Sequence, residues 1–277
     1  MKKANATESE EVKAQYVKQA LEVINDKIPY GVSELIDMFR YNNLLSNPLT
    51  HLRNFTSNAL QTFLTRPLTK AVSGDVKAAY KYYGGLYKGW DEAVSDASKA
   101  FKGQIPLEKP DIQGLRQAKA PRILTVPTRM MEASDKFFQG LIRNAEIAGG
   151  KTADEASQIA KYSLFRTMLD PTGEKTGQGY LLRGIDKATQ GFTQFGKKFP
   201  AVRWFVPFIQ TSMNIVKQWL EYSPAGVLTI PGARDRSEQV AKTLIGSTVT
   251  MLTAKLAFDG RTTWSPPVDS EEKELFY

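Results

Sequence analysis

The residue types that most often carry catalysis are scarce in this sequence of 277 residues. It has no cysteine and one histidine, His51, which excludes a thiolate nucleophile, a disulfide and a catalytic histidine pair within the chain. Carboxylates such as Asp37, Asp135 and Asp186 stand on predicted helix faces, outside any metal-loop or hydrolase motif. A catalytic pair of carboxylates that are distant in sequence and meet only in the folded chain, as in a helical glycosidase, remains an alternative. We therefore predict a non-enzyme without catalytic residues, metal or cofactor, with a helical hydrolase domain as an alternative.

A second pattern that could bind a ligand is the mixture of lysine and tyrosine between Gly74 and Lys102. This stretch is predicted to form one long helix. Basic residues contact phosphates and aromatic rings stack on bases, so Lys77, Lys81, Tyr83 and Lys88 are candidate nucleic-acid contacts. The same residues suit a membrane interface or the rim of an ordinary amphipathic helix. The net charge of +8 and the pI of about 9.4 favour acidic partners, nucleic acid or anionic lipid, without choosing between them.

The strongest helical pattern runs from residue 200 to residue 224, between two prolines. Its large apolar residues recur at three- and four-residue steps, and a polar row occupies another face. We expect a kink at Pro207, which lacks a backbone donor. The apolar stripe needs a partner within the chain, in another chain or at a membrane. The residues that we expect to be largely buried in packing or assembly are Trp204, Phe205, Phe208 and Trp219.

A similar helix is predicted to begin at Pro48, with Leu52 and Phe55 on its apolar packing stripe. A row of uncharged polar residues follows a second face at helical spacing. Such a row either donates hydrogen bonds to a neighbouring helix or forms a solvated face. The members of this row are Thr50, Asn54, Asn58 and Gln61.

The helix predicted for residues 237–258 is apolar, but its stretch without charged residues is short. Its uncharged window, Thr243 to Ala254, falls far below the ~20 residues that a membrane span needs. One interpretation is a helix that lies in a membrane interface. The other is a core helix packed against Phe205 and Trp219. The candidate membrane-interface residues are Leu244, Ile245 and Leu252, with Lys242 and Lys255 at the flanks.

The absence of any strand pattern predicts an all-α fold, an irregular multi-helix array or bundle with a proline-rich extended linker. Gly84-Gly85 indicates a hinge or a close helix crossing within the Lys/Tyr helix. The final residues look like the truncated end of a longer polypeptide. The predicted organisation is an N-terminal helical group at 1–102, the linker at 103–126, a C-terminal helical group at 127–258 and an extended tail at 259–277.

Three stretches together resemble a recurring helical region of very large internal virion proteins of short-tailed phages and of related phage polyvalent proteins. They are NNLLSNPLTHLRNFTSNAL, VPTRMMEASDKFFQGLIRNAEIA and FPAVRWFVPFIQTSMNIVKQWLEYSP, the last followed by GSTVTMLTAKLAFDGRTTWSPPVDSEEKE. The resemblance covers residues 41 to 277 in order. Its most specific pieces are S-N-P-L-T-H-L-R-N and F-V-P-F-I-Q-T, and neither is a catalytic motif.

The resemblance implies a structural internal virion protein, packaged in the capsid and ejected ahead of the genome to help form a conduit across the host envelope. It implies other virion proteins of the portal or core, and copies of the chain itself, as partners. Double-stranded DNA and, after ejection, the host membrane are further candidate partners. The expected location is the virion interior and then the host cell envelope. A nucleic-acid-binding helical module of a phage protein is the alternative from another class.

Overall fold

The computed structural model describes residues 43, 45–104, 122–174, 176–198 and 209–261. Over these ranges the chain forms nine α-helices and no strand, which confirms the all-α prediction. A π-helical turn at Gln61–Thr65 joins the first two helices, and a 3-10 helix at Pro224–Thr229 precedes the last one. The α-helices are α1 Pro48–Leu60, α2 Arg66–Val72, α3 Val76–Lys88, α4 Trp90–Phe101, α5 Arg122–Ala148, α6 Ala153–Ser163, α7 Tyr180–Lys198, α8 Ile209–Glu221 and α9 Arg236–Phe258.

Several predictions of the sequence fall outside the described residues. Trp204, Phe205 and Phe208 lie there, as do the kink at Pro207, the helices expected before residue 43 and most of the tail. Most of the predicted linker also lies there. Its last five residues, 122–126, are described and are helical, because α5 begins at Arg122 and carries Pro127 inside its first turns.

The chain divides into two compact units, each built from two stretches: Met1–Ser57 with Val94–Phe137, and Asn58–Ala93 with Phe138–Tyr277. This division is interleaved, whereas the sequence suggested consecutive helical groups. In the first unit, Asn54 Nδ2 donates to Asp135 Oδ1 at 2.9 Å. The charged groups of interest lie in the second unit.

The apolar core of the second unit is small and lies where α3 crosses α5. Gly85 makes this crossing possible, because a Cβ at that position would stand 2.6 Å from Ala145 Cα. The close crossing expected at Gly84-Gly85 is therefore present. The break in the Lys/Tyr helix falls instead at Gly89, between α3 and α4. The largest buried apolar residues of this core are Tyr82, Leu86, Phe138, Leu141 and Ile142.

Candidate functional site

The helical run from α1 through α2 buries its polar face and exposes its apolar face. Leu52 is 60% exposed and Phe55 is 51% exposed, so neither is buried within the chain, and their part in assembly stays a prediction. The wide π-helical turn keeps residues that are four apart in sequence nearly in line across the junction. The residues of the buried line are Asn58, Thr62, Arg66, Thr69 and Lys70.

The polar row predicted on α1 does form inter-helix hydrogen bonds. Asn54 donates to Asp135, and Gln61 Nε2 donates to Gln218 Oε1 at 3.4 Å. The interpretation as a contact row, rather than as a solvated face, is confirmed for these residues.

Helix α8 is inverted in the same way. Trp219 is 69% exposed, and Ile215 and Val216 are also exposed, so burial of Trp219 within the chain is wrong. An inter-chain contact of Trp219 stays a prediction. The opposite face of α8 is buried and polar. Its residues are Asn214, Lys217, Gln218 and Glu221.

Helix α9 also has inverted polarity, with an ion pair on its buried side and leucines on its exposed side. Lys242 is buried, whereas Leu244 and Leu252 are exposed, Ile245 is half-buried and Lys255 faces solvent. Lys242 is therefore an internal residue, and its predicted position at a membrane interface is wrong. Among the described residues, more polar or charged side chains are buried than apolar ones.

One charged cluster joins α2 to α5 and α9. Arg66 Nη2 lies 2.6 Å from Glu146 Oε1, and Arg66 Nη1 lies 2.6 Å from Glu238 Oε1. Lys70 Nζ reaches the other oxygen of Glu146 at 2.7 Å. Burial by itself lowers the pKa of Arg66, but the carboxylates of Glu146 and Glu238 raise it well above its usual value. Arg66 is therefore a permanent cation held by two anions.

A second cluster is centred on Lys242. Its Nζ lies 3.3 Å from Glu221 Oε1 and 3.6 Å from Glu238 Oε1. Burial opposes both charges, yet the two carboxylates raise the pKa of Lys242, and Arg66 with Lys242 lowers the pKa of Glu238. Tyr162 donates to Glu221 Oε2 at 2.7 Å, and burial followed by the Glu221 charge raises the pKa of this phenol. Tyr162 is thus a neutral donor at neutral pH.

A third pair, Lys217 with Asp186, joins α8 to α7 and is fully buried, with Nζ 2.7 Å from Oδ1. The second oxygen of Asp186 accepts the Asp170 backbone N–H at 3.0 Å. Lys217 Nζ and Lys242 Nζ lie 5.8 Å and 5.3 Å from the centroid of the Tyr162 ring, so one aromatic ring serves two buried cations.

The arrangement ties α2, α5, α7, α8 and α9 together through buried ion pairs. Three cations, Arg66, Lys70 and Lys242, face the three carboxylates of Glu146, Glu221 and Glu238, and Lys217 faces Asp186. Such pairing is the condition under which charges are tolerated in a protein interior. Over the described ranges no group of three or more His, Cys, Asp or Glu side chains is placed to hold a metal ion. The sequence interpretation did not identify Glu146, Lys217 and Glu238 as buried ion-pair residues. The one signal for them was the helical spacing of opposite charges on separate helices.

The residues proposed for nucleic-acid contact lie along one exposed side of α3. Lys77, Lys81 and Lys88 are exposed, and Tyr83 is half exposed with its hydroxyl donating to the Phe63 carbonyl at 3.0 Å. Contact with nucleic acid stays a prediction.

No family model, curated protein or solved structure matches this chain. Within the part of the chain that the structure describes, no helix is both long and apolar enough to cross a bilayer.

Proposed function

We propose that this chain is a structural part of an internal virion protein, packaged in a phage capsid and delivered to the host envelope to help form a conduit for the genome. The observation that supports this function best is the inverted polarity of α1–α2, α8 and α9. Each of these helices buries charged or amide side chains and exposes large apolar ones. Together with the sequence resemblance, this pattern favours an assembling protein over a free-standing enzyme.

Inverted polarity is costly for a chain that stays alone in water. Contiguous exposed apolar surface mostly marks contact with protein or lipid. In an apolar environment buried polar groups must be satisfied internally, and the paired charges around Arg66, Lys217 and Lys242 meet that condition. In the capsid, copies of the chain and other virion proteins cover the apolar faces. After ejection, protein and the host membrane cover them.

The end of α9 presents a run of exposed apolar side chains. Val249, Met251, Leu252 and Leu256 are exposed, and Phe258 is 92% exposed. Because Lys242 is paired internally, its charge does not oppose the approach of this segment to an apolar partner. Lys255 alone interrupts the apolar end, and a lysine can place its ammonium at the interface. Interfacial binding or association as an oligomer therefore suits α9 better than spanning.

The test is liposome flotation together with sedimentation of the full chain. We expect the wild type to self-associate and to float with anionic vesicles. Leu244→Asp and Leu252→Asp should reduce both, because each places a carboxylate on the apolar surface. Thr250→Asp is the matched control, since it adds the same charge to an exposed polar position on a side of α9 away from Leu244 and Leu252. A monomer that never floats, at any salt concentration or pH, overturns the proposal for this segment.

A nucleic-acid-binding module is the second candidate, supported by the exposed side of α3 that carries Lys77, Lys81 and Lys88 beside the exposed rings of Tyr80 and Tyr87. A salt titration of DNA binding separates the two functions. A binding module should form saturable complexes whose affinity falls steeply with salt. A hydrolase panel on the purified chain tests the helical-hydrolase alternative.

A further inference from the structure

The outer side of α3 carries two rows of side chains that the proposed virion function does not use. At 3.6 residues per turn, Lys77, Lys81 and Lys88 fall within about 40° of one another around the helix axis. Tyr80 and Tyr87 form a second row about a quarter of a turn away, and they lie about 10 Å apart along the axis. All five side chains are exposed, Tyr80 at 82% and Tyr87 at 86%.

The lysine row has no anion beside it. Helix α3 contains no acidic residue, and Asp75, which precedes it, uses its carboxylate to accept the Ala78 backbone N–H at 2.8 Å. Within the described part of the chain the three lysines form no ion pair, whereas the exposed Lys99 pairs with Asp96 at 3.4 Å. The outer side of α3 therefore presents three unbalanced positive charges, which attract an anionic partner.

The two exposed tyrosines differ from the other tyrosines of α3. Tyr82 is fully buried, and Tyr83 donates its hydroxyl to the Phe63 carbonyl at 3.0 Å. Over the described ranges, Tyr80 and Tyr87 have neither a hydrogen bond nor a ring contact. Two aromatic rings that stand free on one side of a helix can stack on a planar partner.

The inner side of α3 distinguishes between two anionic partners, a membrane and a nucleic acid. A helix that lies in a membrane interface buries its apolar side among the lipids. The apolar side of α3, with Ala78, Tyr82 and Leu86, is instead buried in the core against α5. The outer side holds one exposed aliphatic residue, Val76, beside the lysines and tyrosines. It has little to insert into lipid, and the observations favour nucleic acid.

We propose that the outer side of α3 binds single-stranded nucleic acid, with the lysine row on the phosphates and with Tyr80 and Tyr87 stacked on unpaired bases. This inference gives the nucleic-acid candidate above a specific partner, and it does not depend on the virion function. In a duplex the faces of the bases are covered by the neighbouring base pairs, so the two rings would find no place to stack. A basic surface combined with aromatic rings is the arrangement that binds single strands without sequence preference.

The experiment is a fluorescence-anisotropy titration of the full chain with an oligothymidylate of about 16 nucleotides, and with a duplex of the same length. We expect saturable binding of the single strand and affinity for the duplex that is about tenfold lower, because the duplex uses the lysines alone. If the single strand does not bind, or if the duplex binds equally well, the proposal is wrong.

Tyr80→Leu combined with Tyr87→Leu removes both rings and should weaken binding of the single strand by about tenfold or more, because base stacking is lost. Tyr80→Phe combined with Tyr87→Phe is the matched control, since it keeps both rings and should bind as the wild type does. Equal affinities of the leucine and phenylalanine variants would show that the rings do not stack on bases.

The lysine row is tested by the dependence of affinity on salt. Each phosphate contact on a single strand contributes about 0.7 to the slope of log affinity against log salt concentration. Replacing Lys77, Lys81 and Lys88 together by glutamine should therefore reduce the slope by about two. Lys187→Gln, at an exposed position of α7, is the control and should leave the slope nearly unchanged.

Flotation of the same variants separates this surface from membrane contact through α9. The lysine and tyrosine variants of α3 should float with anionic phosphatidylserine vesicles as the wild type does. If the lysine variant loses flotation and keeps its affinity for the single strand, the partner of α3 is the membrane and the proposal is wrong. Failure of single-strand binding alone leaves the virion function, which flotation and sedimentation test, unaffected.

Discussion

Arg66 and Glu146 form a pair with almost no solvent access, in which Nε and Nη2 of the guanidinium both donate to Oε1 of the carboxylate, at 3.1 Å and 2.6 Å. Arg66 comes directly after the π-helical turn, and Glu146 lies in the last turn of α5. The second carboxylate oxygen holds Lys70. One anion therefore neutralises two buried cations, and its removal should affect both.

We expect Glu146→Gln to lower the free energy of unfolding by about 3–5 kcal/mol, because it removes the carboxylate that pairs with buried Lys70 and one of the two that pair with buried Arg66. Urea unfolding measures this effect. Glu92→Gln is the matched control. Its ion pair with Arg143 is exposed, at 3.3 Å, and its loss should cost between zero and about 1 kcal/mol. Equal costs for the two variants would contradict the view that burial makes the Glu146 pair critical.

The stability of the second unit should fall at both ends of the pH scale. The folded-state pKa of Glu238 lies below its unfolded value, so its contribution is present above pH ~4.3 and is lost as the pH falls further. The folded-state pKa of Lys242 lies above its unfolded value, so its contribution is present below pH ~10.4 and is lost as the pH rises further.

Urea unfolding between about pH 3 and pH 7, a range that brackets the titration of Glu238 in the unfolded state, measures this loss of stability on acidification. Glu238→Gln should be less stable at neutral pH and should lose less stability on acidification than the wild type, because one linked proton is removed. Glu92→Gln again serves as the control. If the unfolding free energy of Glu238→Gln falls as steeply with decreasing pH as that of the wild type, Glu238 is not the group responsible for the loss of stability in acid.

The sequence predicted amphipathic helices, but apolar periodicity did not show which side of a helix faces the interior. Periodicity shows that a helix has an apolar and a polar side, and the hydrophobic effect favours burying the apolar side. For α8 this reasoning placed Trp219 inside and Lys217 outside, and the structure has the reverse.

The missing information was the pairing of distant charges. Lys217 is buried because Asp186 is buried beside it, 31 positions earlier in the chain. Neither residue reveals its partner locally, and many charged rows on helices are simply solvated. The uncharged row on α1 was more informative, because amide side chains at helical spacing pointed to inter-helix hydrogen bonds, which Asn54 and Gln61 do form.

The crossing of α9 over the end of α8 depends on Gly246. A Cβ at this position would overlap the backbone carbonyl of Tyr222. We expect Gly246→Ala to destabilise the chain by about 1–3 kcal/mol through overpacking. Gly191→Ala is the matched control at an exposed position of α7, where nothing lies near the added carbon, and it should stabilise the chain by about 0.5–1 kcal/mol. Thermal unfolding of both variants checks the opposite signs, and a neutral Gly246→Ala would contradict the close crossing.

The last prediction tests the inverted polarity directly, on two residues of α8. Asn214 is buried, and its Nδ2 donates to the carbonyls of Thr167 at 2.8 Å and Phe165 at 3.2 Å. Asn214→Ala removes these bonds and should cost about 1–3 kcal/mol of unfolding free energy.

Trp219→Ala removes a much larger apolar side chain, yet it should change the unfolding free energy of the monomer by no more than about 0.5 kcal/mol, because Trp219 is exposed. Urea unfolding at low protein concentration measures both variants. In an ordinary amphipathic helix the order would be reversed, with the tryptophan variant the more damaging at a cost of about 3–5 kcal/mol. If Trp219 contacts a second copy, Trp219→Ala should instead weaken self-association in sedimentation, at a protein concentration where Asn214→Ala does not.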